Sequence, residues 1–144
     1  MMEFLLYLSP SSQEIYNMIS QKVRVVENAP ICRQHNIFGW YDAQKNVMTF
    51  CMSRIKTNPD YRYYVNETLL HESTHIAQAC KEGNGYLEEF GISNASMPLT
   101  QRRKDDVNTS VRINNESYRQ IEHEAFWMED KPDKVRYVVQ KYCF

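Results

Sequence analysis

The stretch Asn66-Glu67-Thr68-Leu69-Leu70-His71-Glu72-Ser73-Thr74-His75-Ile76-Ala77-Gln78-Ala79-Cys80-Lys81-Glu82-Gly83 decides how the rest of the chain is read. Leu69, Ile76, Ala79 and Cys80 recur at three- and four-residue spacing, no proline interrupts them, and Gly83 supplies a stop with Lys81 in the last turn. This pattern predicts an amphipathic helix. Helical residues four apart lie about 40° from one another, so His71 and His75 direct two imidazoles at one point. That is the HExxH arrangement of a zinc site. Neutral imidazole binds zinc at about 2.0–2.1 Å, and a catalytic site needs only three protein ligands and a water. Glu72, beside one ligand but offset from both, is placed to take that water's proton without ligating the metal. The bland alternative, a structural histidine pair flanking a glutamate by chance, loses ground because motif and predicted helix agree.

The whole-chain numbers set the limits. With 144 residues the chain is expected to be one domain over residues 1–144, long enough for a single core. Apolar residues make up 42% and charged residues 24%, and the net charge is -1, so no general electrostatic case exists for nucleic acid or a membrane surface. A peptide or protein partner is expected instead. The one basic cluster, Arg102-Arg103-Lys104, is followed by Asp105-Asp106 and reads as a solvated loop. Cys32, Cys51, Cys80 and Cys143 show no CxxC pair and no dense framework, which predicts reduced thiols and a cytoplasmic setting. The opening Met1-Met2-Glu3-Phe4-Leu5-Leu6-Tyr7-Leu8 lacks a basic region and a cleavage site, so it does not read as a signal peptide. An intracellular protein, of the kind a phage or mobile element carries, fits these features. Oligomeric state is left open.

Along the chain, Ser11 or Ser12 after Pro10 is expected to cap a helix containing Ile15, Met18, Ile19 and Val23. Val23–Val26 reads as a short strand, and Ile37–Tyr41 with Val47–Ser53 reads as a hairpin. In the second arm Met48, Phe50 and Met52 share one face. An open edge here, next to the metal, could take an extended substrate as an added strand. Asn58, Pro59 and Asp60 mark the turn into the motif helix, and Tyr61, Tyr63 and Tyr64 read as packing. From Gly83 to Asn115 the pattern weakens to a loop that could roof the site, with one short helix around Tyr86–Phe90. Order returns in Ser117–Glu129, where Tyr118, Ile121, Ala125 and Met128 form one helical face. A last helix starts at Pro132 with Val135, Val138, Val139 and Tyr142.

The third ligand is not a metzincin histidine, because positions 78 and 81 are Gln and Lys. The Glu122-His123-Glu124-Ala125 segment is the natural source of an acid. Helix geometry alone leaves Glu122 and Glu124 both open, since each projects about 80° to one side of the apolar face. His123 points away and is expected to be exposed. With His71, Glu72, His75 and a later Glu124-Ala125 dipeptide behind a strand pair, residues 37 to 130 resemble the gluzincin-type HExxH metallopeptidases, in particular the small ImmA/IrrE-like group. The resemblance implies an α+β, minimal zincin-like domain: a small, mostly antiparallel sheet packed on the HExxH helix and a second, ligand-bearing helix. It also implies Glu124 as the third zinc ligand, with Glu122 in reserve. The thermolysin-like pattern would put Asp at position 128, which is Met, so the partner orienting a zinc histidine is left unassigned.

By the same resemblance the expected reaction is zinc-dependent peptide-bond hydrolysis, with Glu72 moving the water's proton to the leaving amine. An oxyanion donor is then required, and Tyr118 and Tyr86 are the candidates. Peptide deformylase, another small HExxH hydrolase, does not fit, because Thr49-Phe50-Cys51-Met52-Ser53 is not its cysteine segment. A structural site on Cys32 and His35 lacks a second pair. The remaining alternative is a non-catalytic, zincin-like protein-binding module with a structural zinc, against which the intact Glu72 argues.

Overall fold

The computed structural model describes residues 2–144, and its centre is one long helix. This helix, α4 (Tyr61–Glu82), begins after Asp60 and ends at Gly83, whose φ of 70° is the left-handed conformation of a helix stop. Nearly every side chain from Val65 to Ala79 is buried. Such a helix is ordinarily apolar all round, yet Glu67, His71, Glu72, His75 and Gln78 lie in its sealed part. Buried polar groups are costly without partners. Their clustering therefore locates the site before any side-chain geometry is considered.

Before α4 come α1 (Pro10–Ile19), β1 (Arg24–Glu27), α2 (Ile31–Gln34), β2 (Gly39–Asp42), β3 (Val47–Phe50) and α3 (Met52–Ile55). After it come α5 (Gln101–Ile113), α6 (Arg119–Met128) and α7 (Pro132–Cys143). The fold is thus a small α+β domain. The sheet has the order β1-β3-β2, with β3 parallel to β1 and antiparallel to β2. It is mixed, where a mostly antiparallel sheet was expected, because the short α2 carries the chain over between β1 and the hairpin. Helices α1, α6 and α7 and strand β2 pack on α4, and Phe4, Met48, Phe50, Leu69, Ile76 and Val139 sit in the core.

Several local expectations are corrected. Ser9, with Pro10 at the first helical position, caps α1 by accepting from the Ser12 amide, and the helix stops at Ile19, before Val23. The arm expected to run to Ser53 ends at Phe50 and turns into α3. Tyr86–Phe90 is not helical. The presumed loop around Arg102-Arg103-Lys104 is the first turn of α5, capped by the Thr100 hydroxyl. Only Val107 and Val111 of α5 are buried, so no apolar stripe announced it.

The cysteines are paired. Cys32–Cys51 ties α2 to the end of β3, and Cys80–Cys143 ties the end of α4 to the end of α7. The expectation of reduced thiols is overturned, and with it the argument for a cytoplasmic setting. No helix among the described residues is long and apolar enough to cross a membrane.

Candidate metal centre

His71 and His75 stand one turn apart on α4 with ring centroids 4.9 Å apart. Both Nε2 atoms reach a single carboxylate oxygen: His75 lies 2.7 Å and His71 3.2 Å from Oε1 of Glu122 on α6. One ligand atom from each of the three residues falls within 4.8 Å of the others, and all three residues are buried. This His-His-Glu group could hold a metal ion, with imidazole and carboxylate the donor types that suit zinc.

The other imidazole nitrogens are held from behind. His71 Nδ1 lies 3.0 Å from Glu129 Oε1, and His75 Nδ1 lies 2.8 Å from Gln78 Oε1. The Gln78 Nε2 donates to the Ile121 carbonyl and to Glu124 Oε1, which fixes its oxygen towards His75. A carboxylate and an amide oxygen only accept, so each Nδ1 carries a proton, and it is Nε2 that would give up its proton and offer a lone pair to a metal. These donor–acceptor roles are assigned from the partners. The residues present fit the ion.

Glu129 belongs to a wider lattice. Its Oε2 accepts from Arg103 Nε at 2.9 Å, and Arg103 and Arg102 both pair with Glu67 at 3.2 and 2.8 Å. The Tyr63 hydroxyl also donates to Glu67. In the metal-free protein burial opposes charge on His71, but hydrogen bonds to Glu122 and Glu129 outweigh it and hold the imidazole's pKa well above its ordinary value. His75 is raised too, its burial outweighed chiefly by the Glu122 charge. Glu122 is held well below the carboxylate range, because the two imidazoles overcome the cost of its burial. Without an ion, protons and Glu122 balance one another at this point.

Glu72 is buried alongside, and burial pushes its carboxyl upward despite the pull of His71 and His75. It lines a cleft of about 800 Å³ bounded by β2 and α4 on one side and by α5 and α6 on the other. Phe126 closes the wall behind His71, edge-on at 4.4 Å between centroids.

Glu124 is not at this centre, contrary to expectation. It is fully buried, accepting from Gln78 and from the backbone N–H groups of Phe90 and Gly91. Positions 122 and 124 are about 200° apart around a helix, so only one of them can face α4's histidines. Glu124 instead pins the segment after α4 against α6. Tyr118 and Tyr86 both line the cleft, Tyr118 at the start of α6 and Tyr86 on the segment after α4. His123 is partly buried rather than exposed, its Nε2 2.8 Å from the Met97 carbonyl oxygen.

Glu129, Gln78, Arg103 and Glu67 were not anticipated. The sequence did hold a signal for the first. Glu122, Phe126 and Glu129 are four and seven apart, hence on one stripe of α6, and two acids on one stripe of a helix with an apolar face suit a metal ligand and its neighbour.

The chain belongs to the family described as a domain of unknown function (DUF8637), matched over residues 4–144. No curated protein and no solved structure matches it.

Proposed function

We propose that this chain is a zinc-dependent peptide-bond hydrolase of gluzincin type, similar to the ImmA/IrrE-like peptidases, with His71, His75 and Glu122 as ligands and Glu72 as general base. The observation that carries the reading is the convergence of two imidazole Nε2 atoms on one carboxylate oxygen at the wall of an open cleft, with a further buried carboxyl beside them. When bound, zinc would polarise the scissile carbonyl and acidify a water. Glu72, buried beside the two histidines, takes the proton of the attacking water and delivers it to the leaving amine. Glu129 and Gln78 hold the two imidazoles in the ligating tautomer. Tyr118, on the cleft wall, is the donor for the developing oxyanion.

The cleft supports an extended substrate. Strand β2 is an edge of the sheet. Cys51 N donates to the Phe38 carbonyl at 2.8 Å, and Trp40 and Asp42 follow in the same register. Residues in antiparallel pairs alternate in the direction of their hydrogen bonds, so Gly39 and Tyr41 turn their N–H and C=O to the open side, where a peptide can pair. The two disulfides favour an oxidising compartment as the place of action.

The test is elemental analysis of protein purified without added metal, with cleavage of a peptide library by wild type and Glu72→Gln. About one zinc per chain, lost in His71→Ala and Glu122→Ala but kept in Glu124→Gln, with cleavage abolished in Glu72→Gln, supports the reading. Zinc held without cleavage by the wild type would favour a binding module with a structural metal.

A further inference from the structure

Gly39 is where the edge strand meets the base. A Cβ built on it would lie 2.5 Å from Cγ2 of Thr68 and 3.3 Å from Cγ of Glu72, with the Thr49 carbonyl oxygen at 3.2 Å. Gly39 is not among the positive-φ glycines, so backbone conformation does not demand glycine here. Space does. Thr68 and Glu72 are one turn apart on α4, and the face they present is the one on which Gly39 rests. Glycine in a strand interior marks a close approach of another element, and this approach brings the free N–H and C=O of Gly39 alongside the proposed base.

Resting on the hydrolase reading above, we infer that Gly39 is a positioning residue that sets the distance between a bound peptide strand and the Glu72–metal centre. A substrate pairing with β2 takes its height above α4 from β2 itself. Carbon atoms in contact normally sit about 3.5–4.0 Å apart, so an alanine at position 39 forces β2 and Thr68 apart by roughly 1 Å. Misplacement of reacting groups by about 1 Å can cost on the order of 100-fold. Gly39 itself donates nothing to the chemistry.

The test compares two zinc-binding probes on the zinc-loaded full chain. Acetohydroxamate reaches the metal without a strand, whereas trialanyl hydroxamate reaches it through backbone pairing. Gly39→Ala is expected to weaken trialanyl hydroxamate about 30- to 100-fold and acetohydroxamate less than about 3-fold, by the misplacement argument. In a Thr68→Ser background, which removes the Cγ2 methyl, the same change is expected to cost less than about 5-fold, since contacting residues couple. Equal trialanyl hydroxamate affinity in wild type and Gly39→Ala overturns the inference. So does an equal loss for both probes, or a loss undiminished in the Thr68→Ser background. Should Gly39→Ala fail to fold alone, Thr68→Ser is compared with Gly39→Ala/Thr68→Ser, and a loss above about 30-fold there is decisive against it. Failure of the hydrolase reading shows separately: a wild type that binds both hydroxamates but cuts no peptide refutes hydrolysis while the Gly39 comparison still stands, and one that binds neither refutes both.

Discussion

His71 and His75 are the same residue type on the same helix, turned to the same point, yet they are backed by different chemistry. Behind His71 stands a carboxylate, Glu129, itself paired with Arg103 and through it with Glu67. Behind His75 stands a carboxamide, Gln78, which passes its own N–H on to Glu124. A carboxylate partner both orients an imidazole and raises its basicity; a neutral amide mainly orients it. The amide at 78 has a local cause. Glu124 is committed to the Phe90 and Gly91 amides, so the group between it and His75 must accept on one side and donate on the other. Of the amide and the ionised acidic side chains only the amide does both. One flank of the centre therefore tunes charge, and the other joins His75 to the segment after α4.

The comparison can be broken most severely at Arg103. Arg103→Met takes from Glu129, only 3% exposed, its closest cation and leaves it Arg102 at 3.8 Å and His71 at 3.0 Å, so the expected cost, about 1–3 kcal/mol, lies below that of a buried charge left wholly unpaired. Urea unfolding of the metal-free protein should show a loss of that order. A loss below about 1 kcal/mol, the worth of an exposed pair, would mean the lattice is decorative. Next in size, Glu129→Gln makes the two flanks alike, and the zinc Kd is expected to rise about 10- to 100-fold, as losses of such partners do. Competition with a chromophoric chelator measures this, and an unchanged Kd would deny the charge-tuning role. Gln78→Leu should cost less, within about 10-fold in the same assay, because orientation alone is lost; a larger loss than in Glu129→Gln would invert the argument.

The smallest effect lies in proton order. In metal-free protein hydrogen bonds to Glu122 and Glu129 hold the imidazole of His71 well above its ordinary pKa, and the Glu122 charge raises that of His75. Nitrogen NMR of labelled histidines should find His71 losing its proton at the higher pH; the reverse order would sink the assignment of Glu129 as the stronger partner. The sign for stability follows. Raised folded values mean that the two histidines stabilise the metal-free fold fully below the unfolded value of about 6.5, and that this is lost as pH rises through the folded values. Bound zinc should remove that slope, because both Nε2 atoms must then be deprotonated.

The helix α4, its stop at Gly83, the hairpin and α7 were all legible, because periodicity, caps and turn residues act locally. The pair His71 and His75 was legible for the same reason, since a four-residue spacing is enough to place them. The acid that meets them was not. Choosing Glu122 over Glu124 requires the rotation of α6 about its own axis against α4, which packing sets, and the dipeptide Glu124-Ala125 drew attention to the wrong face. Helix α5 was hidden because its buried side is held by ion pairs of Arg102 and Arg103 with acids far off in sequence, so charge took the place of an apolar stripe. The disulfides were hidden because Cys32 and Cys51, and Cys80 and Cys143, meet only once the fold has formed.

The two bridges bear on how long such a protein lasts in its own company. A protein with the proposed hydrolase activity would accept extended chain, and the most concentrated source of extended chain in a purified stock is its own unfolded fraction. Bridges spanning 19 and 63 residues of sequence restrict that fraction by roughly 3 and 4 kcal/mol on a chain-entropy estimate. Adding a reductant should therefore start autolysis that quickens with enzyme concentration, and a Glu72→Gln stock treated in the same way should survive.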